Sequence, residues 1–317
     1  SNTMVIGLFF GNPTDFEYYL SIIIFTLFTL MYTLKGGLRS SFITDAIQMV
    51  LFGILLMFLL SFILPDKTVS VDDYLNDGIF DFNHGIDFLL VVILQIFSYP
   101  FHDPVLTDRG FISKLSVTIK SYFLAGIIGF VAIFLFGLIG MFLKVKNLNG
   151  DVLLQFNKFT GVTGALVMNL IMITSAASTL DSSFSAFAKL IVNDLSKQKI
   201  TIFKGRLVIV IIATAGTLPI FFHPTILSAT TLSGTMVIGL APVFILWKIN
   251  VPPISFYLSV FSGLLIGLLV MLDIFPDKMV FTTGKYNNLF AANLWGTVWC
   301  FMVFLFPLIF MKNGKIN

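Results

Sequence analysis

The chain has 317 residues, of which 57% are hydrophobic and only 11% charged, and its net charge is +3. Thirty-seven Phe and a mean hydropathy of +0.98 exclude an ordinary soluble domain. So slight and dispersed a positive balance also argues against a nucleic-acid surface.

Nine apolar stretches follow one another along the chain, near 16–34, 42–64, 86–101, 118–143, 161–190, 204–222, 226–247, 251–274 and 288–311. A hydrocarbon core of about 30 Å takes around 20 helical residues, so each reads as a membrane span. The first and second are joined by Lys35-Gly36-Gly37-Leu38, a turn. The second, SSFITDAIQMVLFGILLMFLLSFIL, contains Asp45, on one helical face with Ser41, Thr44 and Gln48. The third is short and ends at Tyr99-Pro100-Phe101-His102-Asp103-Pro104, where two prolines in five residues predict a helix broken near 100–104. The fifth carries Ser178, Asp181, Ser182 and Ser185 at i, i+3, i+4, i+7 spacing, a single polar face that Thr174 and Ser175 extend by a turn. A carboxylate in a spanning helix costs several kcal/mol by most estimates and usually marks an ion or substrate path. The plainer reading of the hydroxyls is bonding to carbonyls one turn back, or helix packing. Gly126/Gly129, Gly137/Gly140 and Gly263/Gly267 permit close helix approach, and Trp247, Trp295 and Trp299 read as interfacial anchors.

Loop charges set the expected orientation. Of the 19 Lys and Arg, thirteen fall in one alternate set of loops and six in the other. The positive-inside bias puts the richer set, and the C-terminus, in the cytoplasm. The acidic loop with Asp66, Asp72, Asp73, Asp77 and Asp81 then lies outside. Cys300 is the one cysteine, so no intrachain disulfide forms. His84, His102 and His223 have no ligand spacing, which argues against a metal centre other than a bound alkali cation.

The segment YTLKGGLRSSFITDAIQ, Tyr32 to Gln48, resembles the sodium:solute symporter family, whose members carry a Tyr-Thr-x-x-Gly-Gly-Leu turn followed by Thr-Asp-x-x-Gln. ASTLDSSFSAFAKLIVNDL, Ala177 to Leu195, resembles that family's hydroxyl-bearing helix with its closing Asp-Leu. Gly205-Arg206 and LSGTMVIGLAPVFIL, Leu232 to Leu246, resemble the next two helices. The resemblance implies an all-α polytopic membrane protein of leucine-transporter-like fold, with core helices four to ten and two more. Residues 1–317 then read as a single transmembrane transporter domain, expected to be a fragment that lacks the first three core helices.

Carried over by position, the resemblance implies that Ser178 and Thr179 are paired sodium-binding hydroxyls and that Ser175 offers its backbone carbonyl beside them. Asp45, Ser178, Asp181 and Ser182 fall on a second, deeper sodium site of some members. Asp181 departs from the hydroxyl commoner there, and pairing of Asp181 with Lys189 is the plain alternative. The broken stretch corresponds to the sixth core helix. Gln95, Tyr99, His102 and Asp103 are accordingly its substrate or gate candidates, with helix capping as the structural reading of His102. Asp108-Arg109 stands where members often carry Gln-Arg, a cytoplasmic gate whose partner is open. The implied function is sodium-coupled import of a small polar solute across a bacterial inner membrane, with sodium as the coupling ion and the lipid bilayer as the other partner. Two other classes bear on the same residues. A transporter-like sensor domain is the runner-up, and an aspartyl-protease dyad of Asp45 and Asp181 lacks the Tyr-Asp and Gly-x-Gly-Asp motifs of such enzymes.

Overall fold

The computed structural model describes residues 2–76, 81–82, 85–111, 113–148, 152–195, 201–222, 226–312 and 315–316. Asp77, His84, Lys197, Lys199 and His223 lie outside these, as do the side chains of Arg39, Ser41 and Arg109. The helices in chain order are α1 (Asn2–Phe10), α2 (Phe16–Ile63), α3 (Val71–Asn76), α4 (Ile86–Gln95), α5 (Tyr99–His102) and α6 (Pro104–Arg109). They continue with α7 (Leu115–Val145), α8 (Val152–Lys189), α9 (Ile202–Thr217), α10 (Ile226–Met236), α11 (Ala241–Ile245), α12 (Pro253–Met271) and α13 (Asn287–Leu305). Met311–Lys312 and Lys315–Ile316 form a two-residue antiparallel ladder, with Met311 opposite Ile316.

Among the described residues six segments are long and apolar enough to cross a bilayer: Phe16–Lys35, Phe42–Ile63, Leu115–Val145, Lys158–Val192, Pro253–Met271 and Asn287–Phe310. The other three expected spans are shorter or interrupted. Ile86–Gln95 stops after ten residues, because Ile96 to Ser98 turn before α5 and Asp103 separates α5 from α6. Pro100 and Pro104 sit in the first turns of α5 and α6, where a missing N–H costs nothing. The 226–247 stretch passes through a 3-10 turn, Val237–Leu240, before α11. Leu218–Phe222 continues α9 as a further 3-10 turn. Within α8, Gly161 has φ 67°, a conformation that side chains disfavour, and the helix kinks there.

Helical backbone runs through the expected turn at 35–38 and on to Phe42, joining two apolar arms of α2. These arms are not collinear. Tyr32 and Thr44 both donate to Oδ2 of Asp181, at 2.9 and 3.0 Å. A straight helix would hold those positions about 18 Å apart along its axis, farther than the two side chains bridge through one oxygen. The element therefore folds back between them. Polar contacts agree with the loop alternation. Lys146 pairs with Asp66, both in loops expected outside. Lys189 pairs with Asp108, and Arg206 donates to the Leu34 carbonyl, all at ends expected in the cytoplasm.

The chain divides into two compact units, Ser1–Gly78 with Asp108–Pro224 and Ile79–Thr107 with Thr225–Asn317. In the first, the Phe42–Ile63 arm packs Leu56, Leu59, Leu60 and Ile63 against Ile139, Phe142, Met168 and Ile171 of α7 and α8. The other arm meets Ala176, Leu180, Phe184 and Ala188 of α8, with Ile6 of α1 and Ile209 and Ala213 of α9. In the second unit Ile238, Ile266, Ala292 and Cys300 form the core. Lipid is as apolar as these side chains, so fit and buried polar contacts decide helix association more than apolar burial does. Gly239, Gly263 and Gly267 show the fit: a Cβ at any of them would collide with Ser259, Gly239 or Met236. The glycines of α7 do not act this way. Gly126, Gly129, Gly137 and Gly140 meet nothing within 4 Å, because α7 touches its neighbours chiefly through Thr118, Ile139, Phe142 and Leu143.

A charged staple closes the 64–76 loop. Asp66 takes the Lys146 ammonium at 2.7 Å and the Thr68 hydroxyl and amide at 2.6 and 2.9 Å. First the Lys146 contact and then Thr68 hold its carboxyl down at about 2. The folded value lies below the usual one, so the staple is at full strength above about pH 4 and is lost as pH falls through about 2. Amide hydrogen exchange over residues 66–73, corrected for intrinsic rates, is expected to rise across that window. In Lys146→Met the same amides should exchange quickly at every pH.

Candidate functional site

The polar stripe of α8 meets the second arm of α2 at one cluster. Ser178 and Ser182, one helical turn apart, present their hydroxyls to the two oxygens of Asp45. Ser178 Oγ donates to Oδ1 at 2.5 Å and Ser182 Oγ to Oδ2 at 3.0 Å. Asp181, fully buried, accepts from Tyr32 and Thr44 on Oδ2. Ser182 Oγ also stands 3.3 Å from Oδ1 of Asp181. One hydroxyl proton therefore lies between two carboxylates. A serine carries a single O–H, so it serves one of them at a time. Two anions this close in a helix bundle repel one another and favour a positive charge between or beside them.

Further oxygens flank the pair. Gln48 Oε1, one turn beyond Asp45, is buried without a hydrogen-bond partner among the described residues, and so is Ser185 Oγ, one turn beyond Asp181. Carboxylates, hydroxyls and an amide oxygen make a hard, all-oxygen set suited to an alkali cation rather than to a soft metal.

Of the residues expected from sequence, Asp45, Ser178, Asp181 and Ser182 come together. Ser175 and Thr179 do not join them. Both are exposed, and the Thr179 hydroxyl donates to the Ser175 carbonyl at 3.0 Å, the carbonyl expected to face an ion. Thr174 bonds back to Leu170 at 2.6 Å in the same way. Lys189 pairs with Asp108 at 2.9 Å, which supplies the open partner at the Asp108-Arg109 position and replaces the alternative pairing with Asp181. Tyr32 and Thr44 are the residues that sequence reasoning left without a role. Their signal was position: Tyr32 opens the quoted turn, and Thr44 precedes Asp45.

The second unit holds a separate cavity of about 300 Å³, lined by Phe88, Val92, Gln95, Ile96, Tyr99, Pro100 and Thr230. Gln95 Nε2 donates to Asn293 Oδ1 at 3.1 Å, and Asn293 Nδ2 donates to Thr235 Oγ1 at 2.9 Å and to the Leu289 carbonyl at 2.8 Å. Thr235 and Asn293 are fully buried, so this network fixes the Gln95 amide at the cavity wall. Gly234 makes room for it, since a Cβ there would overlap the Gln95 side chain. Replacing Asn293 by Leu removes a donor and an acceptor at once. The expected loss is about 1–3 kcal/mol of unfolding free energy, read by denaturant titration in mixed micelles, with Thr235→Val costing less. His102 and Asp103 do not line the cavity. His102 Nδ1 donates to the Tyr99 carbonyl at 2.5 Å, and Asp103 Oδ1 caps α6 through the Val105 N–H at 2.8 Å. Both serve the helix break itself.

An all-α polytopic membrane protein is the class these helices and buried polar groups define. Within the first quarter of the chain, residues 2–73 match the model of the sodium:solute symporter family, a family of transporters rather than enzymes. The matched stretch carries Tyr32, Thr44 and Asp45. No curated protein and no solved structure matches the chain.

Proposed function

We propose that the chain is the transmembrane domain of a secondary active transporter that imports a small polar solute with sodium. The observation that carries this reading is the single Ser182 hydroxyl between Asp45 and Asp181. Sodium would replace that shared proton bridge with direct contacts to both carboxylates and to Ser178. Ser185 and Gln48, on the same helical faces, offer additional oxygens without a hydrogen-bond partner among the described residues. Thr179 and the Ser175 carbonyl, which bond one another here, would form the other sodium site only after that bond opens. Gln95 and Tyr99 would face the solute across the cavity of the second unit. His102 and Asp103 would act as gate elements through the break they cap.

Coupling then means that ion and solute bind one transport state better than the other. The inward gradient, together with about 2.3 kcal/mol per charge per 100 mV of potential, drives accumulation. The excess of Lys and Arg in one loop set supports a cytoplasmic C-terminus in a bacterial inner membrane. Proteoliposomes holding the full-length protein and an inward sodium gradient test this directly, with sugars, sialic acid, amino acids, monocarboxylates and urea as candidate solutes. Accumulation of one of them that collapses with the gradient is the expected result. Equal uptake in potassium would sink the reading. If Asp181 ligates a second ion, uptake should rise more steeply than first order in sodium and return to first order in Asp181→Ser.

A further inference from the structure

Away from both sites, the first arm of α2, α9 and the 3-10 turn after it enclose a cavity of about 180 Å³. Its floor is Ile22, Ala213 and Ile220, all nearly inaccessible. Ile23, Leu27 and Phe221, each more than half exposed, stand at its mouth, so it opens on an apolar part of the unit's outer surface. Tyr19 stacks on Phe221 at 5.5 Å and holds one side. The hydroxyls of Thr214 and Thr217 are committed to carbonyls of their own helix. Thr26 is different. Its side chain lines the cavity, the residue is 8% exposed, and Oγ1 has no hydrogen-bond partner among the described residues.

A buried hydroxyl without a partner is costly, and more so beside hydrocarbon than beside water. An acyl chain filling the cavity would leave Thr26 unsatisfied. A lone water would find one uncommitted side-chain donor among apolar walls, fewer partners than buried waters usually have. No charged side chain lines the cavity, so an ion has no counter-charge there. The volume suits one ring, since a cavity of about 150 Å³ admits benzene. We propose that this cavity binds a small uncharged amphiphile drawn from the bilayer, with a hydrocarbon body of about one ring and a single hydroxyl or carbonyl that meets Thr26.

The test uses full-length protein in nanodiscs, a photoreactive diazirine derivative of benzyl alcohol, and peptide mapping of the label. Saturable labelling within residues 19–30 and 213–221 is expected. Benzyl alcohol should compete at about tenfold lower bilayer concentration than toluene, the worth of one hydrogen bond. Thr26→Val keeps the shape and should erase that preference, while Ala213→Phe should fill the cavity and cut labelling about tenfold. Elution volume and helical content confirm that both variants fold. Labelling that is linear in probe and spread equally over α7 would overturn the proposal. So would a benzyl alcohol preference that survives in Thr26→Val, or an absence of competition by either compound.

Discussion

Asp45→Asn is expected to weaken sodium binding at least about a hundredfold while leaving the helices in place. The substitution keeps the shape and one oxygen, so one of Ser178 and Ser182 goes on donating while the other hydroxyl must accept from the new amide nitrogen instead. What disappears is the charge. At about 4 Å and an effective dielectric of 20, one unit charge is worth about 4 kcal/mol to a bound cation, and a hundredfold change in affinity needs only about 2.7. Desolvation and rearrangement of the hydroxyls consume part of that difference, hence the more modest expectation. Sodium-dependent thermal stabilisation of the purified full-length protein reads it. A variant that folds like the parent and binds sodium equally well would remove Asp45 from the site.

Asp181→Ala is expected to be the most damaging single change in the first unit, at about 3–5 kcal/mol. Two hydroxyls lose a charged acceptor together, each such bond being worth about 1.5–3 kcal/mol. Removing a buried charge relieves desolvation, but Tyr32 and Thr44 would lose their shared acceptor where the two arms of α2 fold back. Loss of the tie outweighs the relief because both donors sit at that bend. Asp181→Asn separates acceptor from charge. Its carbonyl oxygen can occupy the Oδ2 position and keep both bonds, so stability should fall by about 1 kcal/mol or less while sodium affinity still drops. Equal destabilisation by Ala and Asn, measured in the same mixed-micelle titration, would show that charge rather than bonding holds the bend.

The carboxylates were legible because an ionisable group in an apolar run is conspicuous whatever surrounds it. Helical spacing alone placed Ser178, Asp181 and Ser182 on one face, and the structure sets that face on Asp45. Spacing could not tell a hydroxyl that turns toward a partner from one that bonds its own helix, so Thr174, Ser175 and Thr179 read like Ser178 and Ser182. The partners of Asp181 were beyond local pattern. Tyr32 and Thr44 lie 149 and 137 positions from it and meet only because α2 doubles back. Gln95 and Asn293 are separated by 198 positions, and an Asn well inside the last apolar stretch was the sole local sign of their contact. Among the described residues the long spans number six, and the expected count of nine departs from that where helices are short or interrupted. Hydropathy sums over Ile86 to Phe101 and over 226–247 without registering that the backbone turns at Ile96–Ser98 and tightens at Val237–Leu240.

A sodium titration of thermal stability on the full-length purified protein, with potassium and choline as controls, tests the central reading most directly. A site that exists only in the folded state should add about 2.7 kcal/mol at a hundred times its dissociation constant. The expected result is a rise in Tm specific to sodium, lost in both Ser178→Ala and Asp45→Asn. Identical midpoints in all three salts would contradict it and leave the clustered carboxylates without their proposed ion.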